Sequence, residues 1–292
     1  MAEKKKTKID DIAKKLEDGI ANMLNSDNYR NYLSTMSKFY NYSINNIILI
    51  AFQNPNATLV AGYNAWKDKF KRTVKKGEKA ISIMAPVKHK KQVQETDANG
   101  NRLFNDDGTP KLKTVTWTSF RSVPVFDVSQ TEGKPLPTIG INEIEKKVKD
   151  YNKVLDMLIN ISDIPVSFEN IDGGAKGYFS IETNRIVVKE AMSEAQTIKT
   201  LLHEMTHAAL HGKGCIAENA DRQTKEVEAE SVAFVVADYL GIDTSEYSFG
   251  YITGWSEGKD IKILKDSLEL IKLQSSKFIS EISKHTECEV AV

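Results

Sequence analysis

The sequence predicts an α+β protein built in two parts, and three observations carry that prediction. Segments with helical spacing and segments with strand alternation occur in both halves of the 292-residue chain. The stretch SQTEGKPLPT, 129–138, holds two prolines and a glycine and shows no periodicity, as a linker does. Charge divides there too: residues 1–137 carry 23 Lys+Arg against 14 Asp+Glu, and 138–292 carry 17 against 26. The overall charge of zero hides a basic front half, suited to polyanions, and an acidic back half. We place the first domain at 1–130, the linker at 131–139 and the second domain at 140–292.

In the first part, Ile9, Ile12, Ala13, Leu16, Ile20, Met23 and Leu24 follow helical spacing over 8–25. Further helices are expected over 28–38 and 43–53, closed by Asn54-Pro55-Asn56, and a short one over 64–70. Strands follow at 72–74 and 80–86 around a Lys76-Gly77-Glu78 turn. Residues 88–113 are polar, with Asn99-Gly100 and Asp107-Gly108 turns, and read as an extended hairpin or mobile flap. Strands at 114–120 and 123–127 complete a small sheet.

The second part opens on a helix carrying Ile144, Val148, Tyr151, Val154, Leu155 and Leu158. Residues 177–188 read as two short strands about Glu182-Thr183-Asn184. A helix over 197–211 has no Pro or Gly before Gly212, and another, 224–241, stops at Gly241. A late amphipathic helix is expected over 259–285, with 286–292 fraying.

The helix at 197–211 contains His203-Glu204-Met205-Thr206-His207. Two imidazoles one turn apart, with a carboxylate beside them, are what a tetrahedral zinc ion with its own base requires. Zinc lowers the pKa of its bound water to about 7, so Glu204 is expected to take that proton and pass it to a leaving amine. A third ligand must come from elsewhere, and Glu226, Glu228 and Glu230 compete. Glu226 and Glu230 share a helical face with Ala229, Ala233 and Ala237, whose small side chains allow close helix approach. Glu226 is therefore expected to be the third ligand and Glu230 to hold a ligand histidine by its other nitrogen. Glu228 is expected to face solvent near the helix start. His211 lies about 12 Å along a straight helix from His203, too far for one ion, and is expected to cap the helix or line the cleft. Tyr178 either reaches the cleft to donate to an oxyanion or packs on the sheet. The 177–188 hairpin is the candidate edge for docking an extended peptide. These ligand types suit zinc and also admit manganese.

Lys67, Lys69, Lys71, Arg72, Lys75, Lys76 and Lys79 crowd into thirteen residues, with Tyr63, Trp66 and Phe70 beside them. Cations that track phosphates and rings that stack on unpaired bases are the requirements of single-strand binding. Two cysteines form no CxxC pair, no apolar region follows the N-terminal lysines, and no run approaches ~18 apolar residues. A cytoplasmic protein without a membrane span is expected.

The stretch from Tyr42-Ser43 through Asn46, Gln53, Pro55, Ala57-Thr58, Val60-Ala61-Gly62-Tyr63, Trp66 and Arg72 to VKKGEKAISIMAPV resembles the N-terminal domain of ArdC-type antirestriction proteins, particularly the LtrC-like branch. VFDVSQTEGKPLP resembles that domain's end. The second part is similar to zincin-like metallopeptidase domains of the ImmA/IrrE type, with His203, Glu204, His207 and, by helical phase, Glu226 at the motif positions. The resemblance implies a protein of plasmids, conjugative elements or phages whose first domain binds single-stranded DNA and whose second is metal-binding; with Zn2+ as the ion, a protein or peptide is the substrate expected if that domain is an active peptidase. A competing expectation is a regulatory zinc metalloprotease whose basic domain meets an acidic protein. A third is a DNA-binding module in which the metal only ties helices together.

Overall fold

A computed structural model of the chain describes residues 11–12, 14–16, 18–20, 26–136, 151–244, 247 and 249–290. Within the helix expected over 8–25, every described residue is helical. The start of the helix expected around 144 lies outside the described residues.

Helix α1, Ser26–Lys38, and α2, Ile44–Gln53, precede the short strand β1, Val60–Ala61, and α3, Tyr63–Asp68. Strand β2, Arg72–Val74, is followed by β3, Ile81–Gln94, and β4, Leu112–Asp127. Strands β1, β4 and β3 form one antiparallel sheet in that order. Its base is apolar, with Ile81, Ile83 and Val125 buried against the helices. Asn46 and Gln53 of α2 bond both the N–H and the C=O of Met84 and Ser82 respectively. Those side chains clamp the helix along the β3 edge and satisfy backbone groups left open there.

Three expectations about this region are corrected. Residues 88–113 are the extended hairpin of the two readings offered, but its arms are continuous with the sheet: the strand expected over 80–86 runs from Ile81 to Gln94, and 114–120 and 123–127 are one strand, not two. Backbone pairing needs no apolar face, and the β-branched run Thr114, Val115, Thr116 favours it. The expected linker begins inside the fold: after a 3-10 turn at Val128–Gln130, β5, Thr131–Gly133, pairs antiparallel with β2. Gly133, at φ 137°, lets β5 pass where a Cβ would stand 2.8 Å from Lys71 O. Trp66 is wholly buried, and its indole N–H donates to Phe126 O at 2.8 Å. It is a core anchor of α3, because its spacing with Phe70, 4.9 Å between ring centroids, turns both rings inward.

In the second part, α4, Tyr151–Asn160, leads to β6, Val166–Glu169, β7, Gly177–Ser180, and β8, Arg185–Lys189. The sheet order is β6-β8-β7, with β6 parallel and β7 antiparallel to β8, so β7 is an edge. The β7–β8 turn falls where the sequence placed it, with Asn184 at φ 47°. Helix α5, Glu194–Thr206, is capped by Ser193, whose hydroxyl accepts from Gln196 N–H. Residues His207–His211 continue it as one π-helical turn. Helix α6, Arg222–Tyr239, is capped by Asp221 and stopped at Gly241, φ 70°. Helix α7, Ile252–Ser256, precedes α8, Ile261–Val290, which extends past the end expected at 285.

Helix α1 does not stay with the basic sheet. Tyr29 and Ser231 hydroxyls lie 2.8 Å apart, Ser34 and Ser37 donate to Asp238, and Arg30 donates to Thr244 O at 2.7 Å. Tyr29, Leu33 and Met36 share one continuous core with Val232, Phe234 and Val235 of α6.

Replacing Trp66 by alanine removes its buried ring and orphans Phe126 O. Chemical denaturation should show a loss of about 3–5 kcal/mol, whereas an exposed contact residue would cost almost nothing.

Candidate metal centre

Helices α5 and α6 bring three donor groups together. The Nε2 atoms of His203 and His207 stand 3.0 Å apart, and Glu226 Oε2 lies 3.5 Å from the first and 3.9 Å from the second. Tetrahedral ligands with bonds of about 2.1 Å stand roughly 3.4 Å from one another. The donor set therefore lies within about half an ångström of that spacing, and among the described residues His203, His207 and Glu226 are the group that could hold a metal ion.

Each imidazole is held by its other nitrogen. His203 Nδ1 lies 3.3 Å from Glu230 Oε2, one turn beyond Glu226. His207 Nδ1 lies 2.9 Å from His211 Nδ1, His211 Nε2 lies 2.9 Å from Glu228 Oε2, and Ser267 of α8 donates to the remaining Glu228 oxygen. A consistent proton assignment runs outward: His207 Nδ1–H donates to His211, and His211 Nε2–H donates to Glu228. That order leaves the His207 Nε2 lone pair facing Glu226 and His203.

Two expectations change here. Glu228 is 1% exposed, turned toward α8 and away from solvent. His211 is 5% exposed and neither caps the helix nor lines the cleft. The π turn explains both: the widened turn brings His211 against the far side of His207, and a buried acceptor is then needed on α6. Helical phase alone finds neither residue.

Glu204 is mostly buried beside the histidines. Burial raises its pKa, while the His203 charge and the Phe179 N–H of β7 oppose that rise. Gly177 makes the approach of β7 possible, since a Cβ there would meet Thr200 Cγ2 at 2.7 Å and Glu204 Cγ at 3.3 Å. Tyr178 alternates with Gly177 along the strand and so projects from the face away from Glu204. It is 40% exposed and lines neither cavity at the centre, so it does not reach the cleft. Tyr247 and Tyr251 take that place. A cavity of about 420 Å³ is lined by His203, Glu204, Glu230, Lys199 and Tyr247, and another of about 450 Å³ by His203, Glu226, Glu230 and Tyr251. The Tyr247 hydroxyl is buried with no partner among the described residues. No periodicity marks either tyrosine, because both lie around the irregular turn after α6.

Of the basic cluster, Tyr63, Lys67, Lys69, Lys71, Lys75, Lys76 and Lys79 are exposed. Arg72 is spent internally, on Thr131 and Lys134 O, and Lys75 donates to Ser129 O.

Residues 159–248 match the IrrE N-terminal-like domain, of the M78 peptidase class, which includes both helices of the centre. Residues 3–126 match the N-terminal domain of anti-restriction factor ArdC. The chain thus carries, in order, a segment similar to the ArdC N-terminal domain and a segment similar to the IrrE N-terminal-like domain. An uncharacterized protein of Bacillus anthracis is 30% identical over 277 residues, covering 85% of this chain and 46% of that protein. The chain spans about half the length of that curated relative. Crystal structures of the antirestriction ArdC protein from the R388 plasmid, metal-free and Mn(II)-bound, are 18% and 19% identical. Their TM-scores are 0.46 and 0.44, each over 82% of this chain and 83% of that one. No helix among the described residues is long and apolar enough to cross a membrane.

In the metal-free chain burial opposes a charge on His203, but Glu226, Glu230 and Glu204 outweigh it and raise its pKa to about 9. Burial, then the His203 charge, lowers His207 to about 4. The charged His203 therefore adds stability that is full below its unfolded pKa of about 6.5 and is lost as the pH rises through about 9. A metal must displace that proton. Titration calorimetry in two buffers at neutral pH should show about one proton released per ion, with affinity falling roughly tenfold per pH unit on acidification.

Proposed function

We propose that the chain binds single-stranded DNA through its basic half and carries a zinc-dependent peptidase centre, and that together they protect incoming DNA from restriction. The single observation behind the enzymatic part is the convergence of His203, His207 and Glu226 beside a buried Glu204 and a cavity. The ArdC and IrrE-like matches support antirestriction as the setting, and the exposed lysines from 67 to 79 support contact with phosphates. Zinc is the ion we propose, and the same ligand types also admit manganese.

When bound, the ion supplies Lewis acidity and an acidified water. The protein does the rest. The edge of β7 receives an extended peptide by backbone pairing, as edge strands do. Glu204, whose carboxylate is biased toward holding a proton by burial, accepts the water's proton and returns it to the leaving amine. Tyr247 stays protonated, since burial and then Glu230 push its pKa upward, and its unpartnered hydroxyl donates to the developing oxyanion.

Fluorescence anisotropy with a labelled single strand should show binding that weakens linearly in log–log form as salt rises, by about 0.7 per neutralised phosphate. Glu204→Gln should keep both the metal and that affinity while losing peptide hydrolysis. Retained DNA protection in this variant would assign the biological role to binding; lost protection would assign it to proteolysis. For Tyr247→Phe, a kcat lower by roughly 100-fold at unchanged metal content is expected; an unchanged kcat would remove the tyrosine from the chemistry.

A further inference from the structure

Beyond the core, β3 and β4 continue as a two-stranded ribbon that carries more chemistry than a spacer needs. Past Val123 no further strand among the described residues pairs with their outer edges, because β1 meets β4 only at Phe126 and Asp127. The ribbon holds Lys88, Lys90, Lys91, Lys113 and Arg121 and no carboxylate from Ile81 to Gln94 or from Leu112 to Phe126. Among the described residues none of these five cations is paired with an acidic group. The acidic residues gather instead at the tip, where Glu95 pairs with Lys111 and Asp97 and Asp107 hold their own turns.

Strand alternation sorts these groups onto faces. Trp117 stands opposite His89, and Lys91, Lys113, Val115 and Arg121 project from the same side. The Trp117 and His89 rings are stacked, 5.1 Å apart and 15° from parallel, and His89 is fixed from behind by a 2.6 Å bond to Ser119 Oγ. Trp117 nevertheless remains 48% exposed. Lysines alone would serve to blunt an unpaired edge. They do not call for a half-exposed tryptophan pre-set on an anchored imidazole between cations.

We propose that this face is a base-stacking platform for single-stranded DNA, separate from the lysine cluster at 67–79. An unpaired base stacks on the open side of Trp117, while Lys91, Lys113 and Arg121 neutralise the flanking phosphates. The proposal rests on the reading that the chain binds single strands and gives that binding a location. It also supplies the exposed stacking ring that Trp66, being buried, cannot.

The test uses the full chain and a fluorescein-labelled oligothymidylate of about 16 nucleotides. Trp117→Ala should weaken binding by roughly 5- to 100-fold with little change in salt slope. Trp117→Phe should recover most of the loss, and the Lys91→Gln/Lys113→Gln pair should flatten the slope by about 1.4. Circular dichroism should be unchanged, since the ring packs on no core. If the parent binds and Trp117→Ala binds as tightly, the platform is wrong while the DNA-binding reading stands. If the parent does not bind even at low salt, both fail. Tighter binding to a duplex of equal length would also overturn the platform, because paired bases offer no open face.

Discussion

Everything at the metal centre depends on the direction in which two imidazole lone pairs point. A helix supplies the spacing of His203 and His207 but leaves ring rotation and tautomer free. Here Glu230 takes one outward N–H, and the His211–Glu228–Ser267 chain takes the other. Three helices are recruited to this end: α5 brings the rings, α6 the carboxylates and α8 the serine. The buried Ala229, Ala233 and Ala237 on α6 keep its ligand-bearing face free of bulk. A carboxylate as deeply buried as Glu228 would be costly alone, and it is tolerable because both of its oxygens accept hydrogen bonds.

The His-Glu-x-x-His spacing carried most of what the sequence had to say about this centre. Helical phase then separated Glu226 and Glu230 from Glu228, because two residues four apart must share a face whatever they pack against. The same reasoning went astray for Glu228 and His211, since it assumed one uniform helix. A single π turn moves His211 relative to that lattice, and nothing in HAALH announces it. Tyr247 was invisible for a related reason: it lies in an irregular turn, where position is set by long-range packing and not by period.

In the basic half, strand content was easier to read than strand length. Ile81 and Ile83 flank Ser82 and mark a half-buried sheet, but no residue of the ribbon beyond them is buried, so no hydrophobic pattern records it. Composition, which reads lysines as a solvated face, could not tell Trp66 from Trp117. Only packing shows that one ring is fastened inside by its indole N–H and the other stands half in water.

The seat of α1 against α6 has a consequence for how the chain behaves as a whole. In sequence α1 belongs with the ArdC-type segment, yet its tyrosine, serines and arginine are spent on the helix that carries Glu226 and Glu230. Cutting the chain at its apparent boundary would strip the carboxylate helix of its rear wall and leave α1 with an apolar side open to water. The two regions are thus thermodynamic neighbours: any ligand that binds only the folded form of one would also raise the resistance of the other to melting.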